Sequence, residues 1–423
     1  MTARRMGKRM TITRRPLLAL PALLLVRPAA AQGAPVKVGT LLPLTGVAAS
    51  AGNSGKAAID LAVELINTPQ PDLAAMPLMA TAGFPALGGR PLQVVIADQQ
   101  GSPSVAQNQA LRLITQERVV ALTSGYQSGL VQTASAIAER HGIPYVTGEA
   151  VATNLTERGF RWFFRTTPIG PDIAAIYVEF LQSAQVNGRR VSKVAIVNEN
   201  TEYGTSIAEV IRKTAEARGI AIALQIPYAA NSADVSAQVL QLKEAQPDVA
   251  IFISYTSDAI LYARTMRAQG YRPPIMIGDN SGFSDDNFVQ TAGDIAQGLI
   301  NRSAFDPSRP GSNSFKVNAL YKARTGREMD DTTARIMQGF LVTCDAINRA
   351  GSTEPAAIQK ALRETNLAAE QLMIGYHGVK FDTKGQNTSA SVLLVQLRGR
   401  EYVSVWPTAT ATAQLQLPYK GWE

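Results

Sequence analysis

The fold is decided by the first predicted strand of the chain, Val36-Lys37-Val38-Gly39-Thr40-Leu41-Leu42, and by the helical pattern that follows it at 52–66. From this point, short runs rich in β-branched residues alternate with longer segments whose apolar residues recur at helical spacing. Because parallel strands need a crossover connection, usually a helix, this alternation predicts parallel sheets covered by helices. The other predicted strands are 92–97, 119–122, 193–197, 221–226, 249–253 and 275–277. The other predicted helices are 105–117, 128–141, 203–218, 235–245 and 258–269.

The segment 160–168, Phe-Arg-Trp-Phe-Phe-Arg-Thr-Thr-Pro, separates the strands before it from those that begin at 193. It is typical of a strand that leaves one sheet for another. At about 150 residues per domain, the 423 residues have room for two or three units, so we expect two α/β lobes. Further helices are predicted near 312–325, 334–349 and 354–364, and the chain is expected to end in a hairpin of 392–397 and 401–406.

The formal net charge of +8 would by itself suggest nucleic acid or an anionic membrane as a partner. Residues 1–31, however, hold seven of the 41 Lys and Arg residues and no Asp or Glu, so the rest of the chain has 34 basic and 33 acidic residues. Because this remainder is nearly neutral and has no run of Lys or Arg, we expect no nucleic-acid partner.

The N-terminus has the three parts of an export signal: a basic start, an apolar stretch at 17–26, and Ala29-Ala30-Ala31 as a cleavage site. We expect 1–31 to be a cleavable signal peptide, because about ten apolar residues are too few to span a bilayer. Residues 13–18, Thr-Arg-Arg-Pro-Leu-Leu, resemble the twin-arginine export motif, although ordinary signals also carry Arg pairs. The expected location is the periplasm, by either export route.

The chain offers few residues for catalysis or metal binding. Cys344 is its one cysteine, so no intrachain disulfide can form, and its apolar neighbours indicate a core position. His141 precedes Gly142 at a predicted helix end, where an imidazole complements the helix dipole, and His377 lies in a predicted turn. No Cys–Cys or His-x-x-x-His spacing is present, so we expect no metal site, no cofactor and no catalytic triad.

The strand-to-helix turns of the first lobe are the best candidates for a binding site, because open α/β sheets bind ligands at such turns. In 123–129, Tyr126 and Gln127 lead to Ser128, which we expect to cap the following helix. The free N–H groups at that helix start favour a carboxylate, although a mere helix cap is the alternative interpretation. The next turn, 146–150, is expected at the same edge and adds Thr147, Glu149 and Ala150.

Two turns of the second lobe follow strands at equivalent ends. They contain Tyr255, which we expect to cover a ligand, and Asp279 with Asn280, of which Asp279 could meet an ammonium group. The irregular segment 68–89, rich in Pro and Gly, is either a surface decoration or the border of a binding site.

Several short motifs stand in a specific order along nearly the whole chain. They are Gly39-Thr40-Leu41-Leu42-Pro43-Leu44-Thr45-Gly46 with Gly52, Ser128 before its helix, His141-Gly142-Ile143-Pro144, Phe164-Arg165-Thr166, Glu202-Tyr203-Gly204, and Gly378-Val379-Lys380-Phe381-Asp382-Thr383-Lys384-Gly385-Gln386. Behind an export signal, this order resembles the type I periplasmic solute-binding proteins of the leucine/isoleucine/valine-binding family, which deliver ligands to ABC importers.

The resemblance implies an α/β fold of two Rossmann-like lobes with parallel sheets, joined by a three-segment hinge. The implied lobes are 32–164 with 304–374, and 168–301 with 382–423. The implied hinge crossings are 165–167, 302–303 and 375–381. Such hinges let the lobes close around a ligand.

In that family, a Ser hydroxyl and backbone groups of the first lobe hold the ligand's carboxylate, while aromatic and acidic side chains of the second lobe hold its amine and side chain. The corresponding positions here are Ser128, Glu149, Val151, Tyr203, Tyr255, and Asp279 or Asn280. Ala51 replaces an aromatic residue of many relatives, and Val151 replaces a Thr. A branched-chain or related amino acid and a bulkier aromatic acid therefore both remain open as ligands.

Three functions are compatible with these observations. The favoured one is a non-enzymatic, monomeric solute-binding component that captures a small carboxylate-bearing ligand for an ABC permease. The second is a ligand-sensing subunit of a signalling or regulatory system with the same fold. The third, a periplasmic hydrolase with Ser128 as nucleophile, lacks a base close in sequence.

Overall fold

The computed structural model describes residues 1–3, 7, 33–186 and 188–422. The predicted signal peptide lies outside the described residues, apart from 1–3 and 7. Within the described part, we find no helix with both the length and the apolar character that crossing a membrane requires.

The elements alternate as the sequence predicts. The strands are β1 Val36–Leu42, β2 Leu92–Asp98, β3 Ala121–Ser124, β4 Tyr145–Thr147, β5 Phe163–Arg165, β6 Gln185–Val186, β7 Arg189–Arg190, β8 Lys193–Glu199, β9 Ala221–Tyr228, β10 Val249–Ile253, β11 Ile275–Gly278, β12 Ile300–Ser303, β13 Asn366–Ala368, β14 Gly378–Lys380, β15 Leu393–Arg398 and β16 Glu401–Trp406. The α-helices are α1 Ala49–Asn67, α2 Pro103–Thr115, α3 Ser128–His141, α4 Gly170–Ser183, α5 Glu202–Ala217, α6 Ser236–Ala245, α7 Thr256–Ala268, α8 Ser281–Ser284, α9 Asp286–Ala292, α10 Asn313–Thr325, α11 Asp331–Ala350 and α12 Pro355–Arg363.

The first lobe is built on a five-stranded sheet in the order β2-β1-β3-β4-β5, in which every pairing is parallel. One face packs against α2 and α3, and the other packs against α1, α11 and α12. The chain reverses its direction of winding between β1 and β3, and such a reversal leaves a crevice beyond the carboxyl ends of the strands.

The second lobe is built on a seven-stranded sheet in the order β16-β15-β12-β11-β10-β8-β9. The strands from β8 to β12 are parallel, and β15 and β16 add the antiparallel hairpin that the sequence predicts. The helices α4 and α5 cover one face, while α6, α7 and α9 cover the other. The predicted α/β fold with two parallel-rich lobes is confirmed.

The helix α4 is absent from the sequence prediction. The helix is amphipathic, with Asp172, Glu179 and Gln182 on its exposed face, but the six consecutive apolar residues 173–178 mask the helical period, since a short apolar run does not distinguish a helix from a strand. The start of the helix, Gly170-Pro171, also has the composition of a turn, yet proline is favoured in the first turn of a helix. The Asp172 side chain accepts a hydrogen bond from Ile169 N–H at 3.1 Å, which holds that turn in place.

The irregular segment 68–89 packs on the first lobe. It contains two short 3₁₀ turns, and its buried side chains Leu73, Met76, Met79 and Phe84 join the core beneath α1 and α11. With α11 it borders a cavity of about 490 Å³. Because these four side chains are part of the core, the segment is packed into the first lobe and does not only lie on its surface. A role of the cavity in ligand binding remains a prediction.

The connections between the two sheets lie close together. Arg165 N–H donates to Gly385 O at 2.8 Å, and Asn387 N–H donates to Arg165 O at 2.9 Å, so the first and third connections lie side by side. Gly375 N–H donates to Ala304 O at 2.7 Å, which joins the third connection to the second. The implied lobe bounds and the hinge motion stay predictions.

Candidate ligand-binding site between the lobes

The turn after β3 directs first-lobe groups into the crevice. Gly125 has a φ of +82°, and a Cβ at this position would lie 2.5 Å from Val131 Cγ2, so the turn requires glycine. Its N–H donates to the Leu41 carbonyl oxygen at 2.9 Å, which ties the turn to the end of β1. The next residue, Tyr126, is held at the carboxyl edge of the sheet.

The expectation that Ser128 caps α3 is wrong. Gln127 is the cap residue, with a φ of −85° and a ψ of 127°, and its side chain makes no capping hydrogen bond. Ser128 is already helical, and its Oγ accepts a hydrogen bond from Ala152 N–H at 3.4 Å. The first turn of α3 therefore keeps backbone N–H groups without a side-chain cap, which is the arrangement that suits an anion.

The turn after β4 is pressed against α11. A Cβ on Gly148 would lie 2.1 Å from the Arg335 carbonyl oxygen, so the two backbones are in close contact. Thr147 Oγ1 accepts hydrogen bonds from Glu149 N–H at 3.4 Å and Ala150 N–H at 3.3 Å. The hydroxyl thereby shapes the turn that carries Glu149 into the crevice.

Three tyrosine rings meet between the lobes. Tyr126 comes from the first lobe, Tyr203 from the first turn of α5, and Tyr255 from the residue before α7. The Tyr255 ring centroid lies 5.6 Å from that of Tyr126 and 5.4 Å from that of Tyr203. The hydroxyl groups of Tyr126 and Ser281 lie 2.7 Å apart and link the two lobes. Burial raises the pKa of all three tyrosines, so they remain neutral.

A small cavity of about 10 Å³ lies within this group, which is room for about one water molecule. Its lining residues are Tyr126, Ser128, Glu149, Val151, Tyr203, Tyr255, Ser281 and Arg302. The lining thus includes five of the ten predicted site residues and Val151. The other five do not line this cavity, namely Gln127, Thr147, Ala150, Asp279 and Asn280.

A larger cavity of about 420 Å³ lies between α10 and the β15–β16 hairpin, and contains no residue of the turns after β3 and β4. The cavity beside 68–89 contains none of these turns either. We take the small cavity as the candidate site because it lies at the carboxyl ends of both sheets, where open α/β sheets bind ligands.

Asp279 is held in a buried ion pair. Arg302 Nε donates to Asp279 Oδ1 at 2.6 Å, and the two side chains are 2% and 0% exposed. The Tyr177 hydroxyl donates to the same oxygen at 2.8 Å, and the Tyr203 hydroxyl donates to Oδ2 at 2.8 Å. The predicted meeting of Asp279 with a ligand's ammonium group is untested, but in this structure its negative charge already has a partner.

A second buried group of charges links the turn after β4 to α11. Arg335 Nη2 donates to Glu149 Oε1 at 2.9 Å, and Arg335 Nε lies 2.8 Å from Asp331 Oδ2. Burial raises the pKa of Glu149, and the positive charge of Arg335 opposes that rise. Asn280 also donates to Asp331 Oδ2 from its Nδ2 at 2.6 Å, so the second lobe joins this group.

Sequence reasoning missed Arg302 and Arg335, the two cations of the site. Arg302 lies near the end of β12, at the same edge as the predicted turns, and this position could have identified it as a site residue. Arg335 follows Asp331 by four residues within a helix that is buried along most of its length. A charged pair inside such a helix needs partners from elsewhere in the fold, which is a second usable signal.

The arrangement supports non-covalent binding. Among the described residues, no group of His, Cys, Asp and Glu is arranged to hold a metal ion. Neither His141 nor His377 lines the cavity, so no imidazole reaches Ser128 there. What the site supplies is aromatic surface, hydroxyl groups, the N-terminus of α3 and paired charges.

Comparisons with known proteins identify the family of the chain. The sequence profile of the family described as periplasmic binding protein matches residues 35–401. The Leu/Ile/Val-binding protein homolog 7 of Brucella melitensis is 31% identical over 422 residues, covering 95% of this chain and 99% of that relative.

Two solved structures share the fold. The branched-chain amino acid transporter substrate binding protein LivJ from Streptococcus pneumoniae, in complex with isoleucine, is 20% identical with a TM-score of 0.74, covering 91% of this chain and 100% of that one. A solute binding protein of an ABC transporter from Rhodopseudomonas palustris, in complex with 3,4-dihydroxybenzoic acid, is 17% identical with a TM-score of 0.73, covering 91% and 98%. With a profile match over most of its length and a relative of this identity, the chain belongs to the periplasmic binding protein family, in its leucine/isoleucine/valine-binding branch.

Proposed function

We propose that this protein is the solute-binding component of an ABC importer, and that it captures a small carboxylate-bearing ligand by closure of its two lobes. The observation that carries the proposal is the enclosure of one cavity by aromatic rings from both lobes, beside a helix N-terminus without a side-chain cap. The cavity holds about one water molecule, so a ligand enters only when the lobes separate. The protein then binds and releases its ligand unchanged.

The carboxylate is assigned to the start of α3. Free backbone N–H groups and the helix dipole favour an anion there, and Ser128 Oγ adds a hydroxyl group at the same place. These interactions strengthen when closure excludes water. The ligands named for the two solved relatives, isoleucine and 3,4-dihydroxybenzoic acid, both carry a carboxylate. The proposed ligands are accordingly a branched-chain or related amino acid, or an aromatic acid.

The remaining parts of the proposal concern location and partners. The protein acts in the periplasm as a monomer, after cleavage of the signal peptide 1–31, and its partner is an ABC permease of the inner membrane. The alternative, a ligand-sensing subunit, is tested by deleting the gene and measuring uptake of the identified ligand. Lost uptake that returns on complementation supports import, whereas unchanged uptake favours sensing.

Binding itself is tested by the thermal midpoint of the protein with a panel of amino acids and aromatic acids. A ligand that binds the native state raises the midpoint by mass action. Ser128→Ala should weaken binding of a responding ligand by about 10- to 100-fold, the equivalent of one charge-assisted hydrogen bond. Ser236→Ala is the matched control, because Ser236 also begins a helix but is exposed. If no ligand of the panel raises the thermal midpoint, the proposal is refuted. If the two variants weaken binding equally, the carboxylate does not bind at Ser128.

A further inference from the structure

The site contains an odd number of buried charges. Five ion-paired side chains meet there, the acids Glu149, Asp279 and Asp331 and the cations Arg302 and Arg335, and the further acids Asp285 and Asp330 lie close by. If all five are ionised, the group has one negative charge in excess. An uncompensated buried charge is costly, so the group needs one more positive charge, which a proton or a ligand can supply.

Asp279 is not the acid that lacks a partner. Its Oδ1 accepts from the Tyr177 hydroxyl at 2.8 Å and Arg302 Nε at 2.6 Å, and its Oδ2 accepts from the Tyr203 hydroxyl at 2.8 Å and Arg302 Nη2 at 3.4 Å. A carboxylate offers about four lone-pair sites, and four donors already occupy them. An ammonium group would have to displace one of these donors.

Asp331 is likewise satisfied. Its Oδ1 accepts from Ser303 Oγ at 3.0 Å and from the backbone N–H groups of Ala304 at 2.6 Å and Phe305 at 2.9 Å. Its Oδ2 accepts from Asn280 Nδ2 at 2.6 Å, and it does not line the small cavity. Asp331 therefore holds the chain after β12 in place and has no free position for a ligand.

Glu149 is the acid that remains. It lines the cavity and its side chain is 4% exposed. Oε1 accepts from Arg335 Nη2 at 2.9 Å, but Oε2 is buried and accepts no hydrogen bond from any described residue. Arg335 is shared with Asp331, so it cannot neutralise both acids.

We propose that Glu149 determines the charge class of the ligand: its free oxygen receives an ammonium group, and a ligand without one binds only when Glu149 carries a proton. Asp279 is then a positioning residue that holds Arg302 and Tyr203 in the wall. The inference rests on the proposed function, because it assumes a carboxylate-bearing ligand in this cavity. On this proposal, Glu149 releases its proton when a ligand with an ammonium group binds.

The direction of the pH dependence follows from the groups that face Glu149. These are Arg335 and Asp331 on α11, Asp330 just before that helix, Arg302 on β12, Tyr126 after β3, Tyr255 before α7, and Tyr376. Burial raises the pKa of Glu149, so the ligand-free protein takes up the missing charge as a proton. An ammonium group displaces that proton, so its ligand binds more tightly as the pH rises. A ligand without the ammonium group loses affinity over the same range, because the ionised Glu149 repels it.

The test compares matched ligands that differ only in the ammonium group, leucine with 4-methylpentanoate and phenylalanine with 3-phenylpropanoate, by titration calorimetry between pH 5 and pH 9. In the wild type at high pH, we expect the amino acid of the responding pair to bind about 10- to 100-fold more tightly than its partner acid. This ratio corresponds to one charge-assisted hydrogen bond. The advantage should shrink at low pH, and calorimetry in buffers of different ionisation enthalpy should detect a released proton.

Glu149→Gln keeps the shape of the side chain and removes its charge. This variant should lose most of the preference for the amino acid, and at every pH it should bind the partner acid within about threefold of the affinity that the wild type shows at low pH. Glu157→Gln is the matched control, because the Glu157 carboxylate is half exposed at the surface, and it should change the affinity for neither ligand.

Three outcomes would overturn the inference. A partner acid that binds as tightly as its amino acid at every pH would exclude Glu149 as the charge-determining group and leave the proposed function standing. An unchanged preference in Glu149→Gln would do the same. If no ligand of either kind binds the wild type, the proposed function fails and the inference fails with it. Because Asp330, with a pKa raised to about 7, titrates in the same range whichever ligand is bound, the difference between the paired ligands across the wild-type pH series decides the question even if the variant does not fold.

Discussion

Replacing Arg302 by methionine should destabilise the protein strongly, because it leaves the Asp279 carboxylate buried without its cation. In the native protein, Arg302 Nε donates to Asp279 Oδ1 at 2.6 Å, and neither side chain is more than 2% exposed. Removing one partner of a buried ion pair costs about 3–5 kcal/mol. The Tyr177 and Tyr203 hydroxyl groups still donate to the carboxylate, so we expect the lower end, about 3 kcal/mol.

The assay is thermal unfolding of Arg302→Met beside the wild type. At about 2–4 °C per kcal/mol for a unit of 150–250 residues, the loss lowers the midpoint by about 6–12 °C. The double variant Arg302→Met with Asp279→Asn removes both charges, so its thermal midpoint should recover at least half of the fall caused by Arg302→Met.

Lys384→Met is the matched control. Lys384 Nζ lies 2.7 Å from Glu157 Oε2, but these side chains are 55% and 49% exposed, so the loss should stay below about 1 kcal/mol. If Arg302→Met costs no more than this control, or if the double variant is as unstable as the single one, the reasoning about a buried pair is refuted.

Three further predictions follow from the backbone contacts, the titrating groups and the leader. Gly148→Ala should lower the free energy of unfolding, measured by urea titration, by about 1–3 kcal/mol, because the new Cβ would lie 2.1 Å from a carbonyl oxygen of α11. Gly129→Ala is the control and should be nearly neutral, because the nearest atom to its Cβ would lie at 3.9 Å. Burial raises the pKa of Asp330 from 3.8 to about 7, so the native state holds its proton more tightly than the unfolded state, and stability is lost as the pH rises from about 4 to about 7. Asp330→Asn, which keeps a capping oxygen, should therefore raise the thermal midpoint above the wild-type value at pH 8 but not at pH 4; an equal effect at both would contradict this. The mass of the protein exported to the periplasm should correspond to a chain that begins at Gln32, and a mass that includes 1–31 would contradict the predicted cleavage.

Most of the elements could be predicted because helix and strand periodicities are local properties of the chain. The strands Val36–Leu42 and Val249–Ile253 and the helix Ser128–His141 have the predicted bounds. The prediction failed at α4, because the six consecutive apolar residues 173–178 hide the helical period of its exposed face. It also misplaced the role of Ser128, because backbone angles, and not residue preference, decide which residue is the cap.

Half of the candidate site residues could be located because parallel strands bring their carboxyl ends to one edge. Tyr126, Ser128 and Glu149 follow neighbouring strands of the first sheet, and Tyr203 and Tyr255 follow strands of the second. All five line the cavity between the lobes. For Tyr126, Ser128, Glu149 and Tyr255 the prediction needed only the order of strands and turns, whereas Tyr203 was predicted from the resemblance to the family.

The sequence by itself determined the alternation of strands and helices, the two lobes and the edge at which their turns meet, since each depends on patterns within a few tens of residues. Only the tertiary structure decided which charges pair in the crevice. Arg335 lies 186 residues from Glu149, and Arg302 lies 23 residues from Asp279 on the next strand. Such pairings depend on how whole elements pack, because a buried charge takes its partner from whatever the fold places within hydrogen-bond distance.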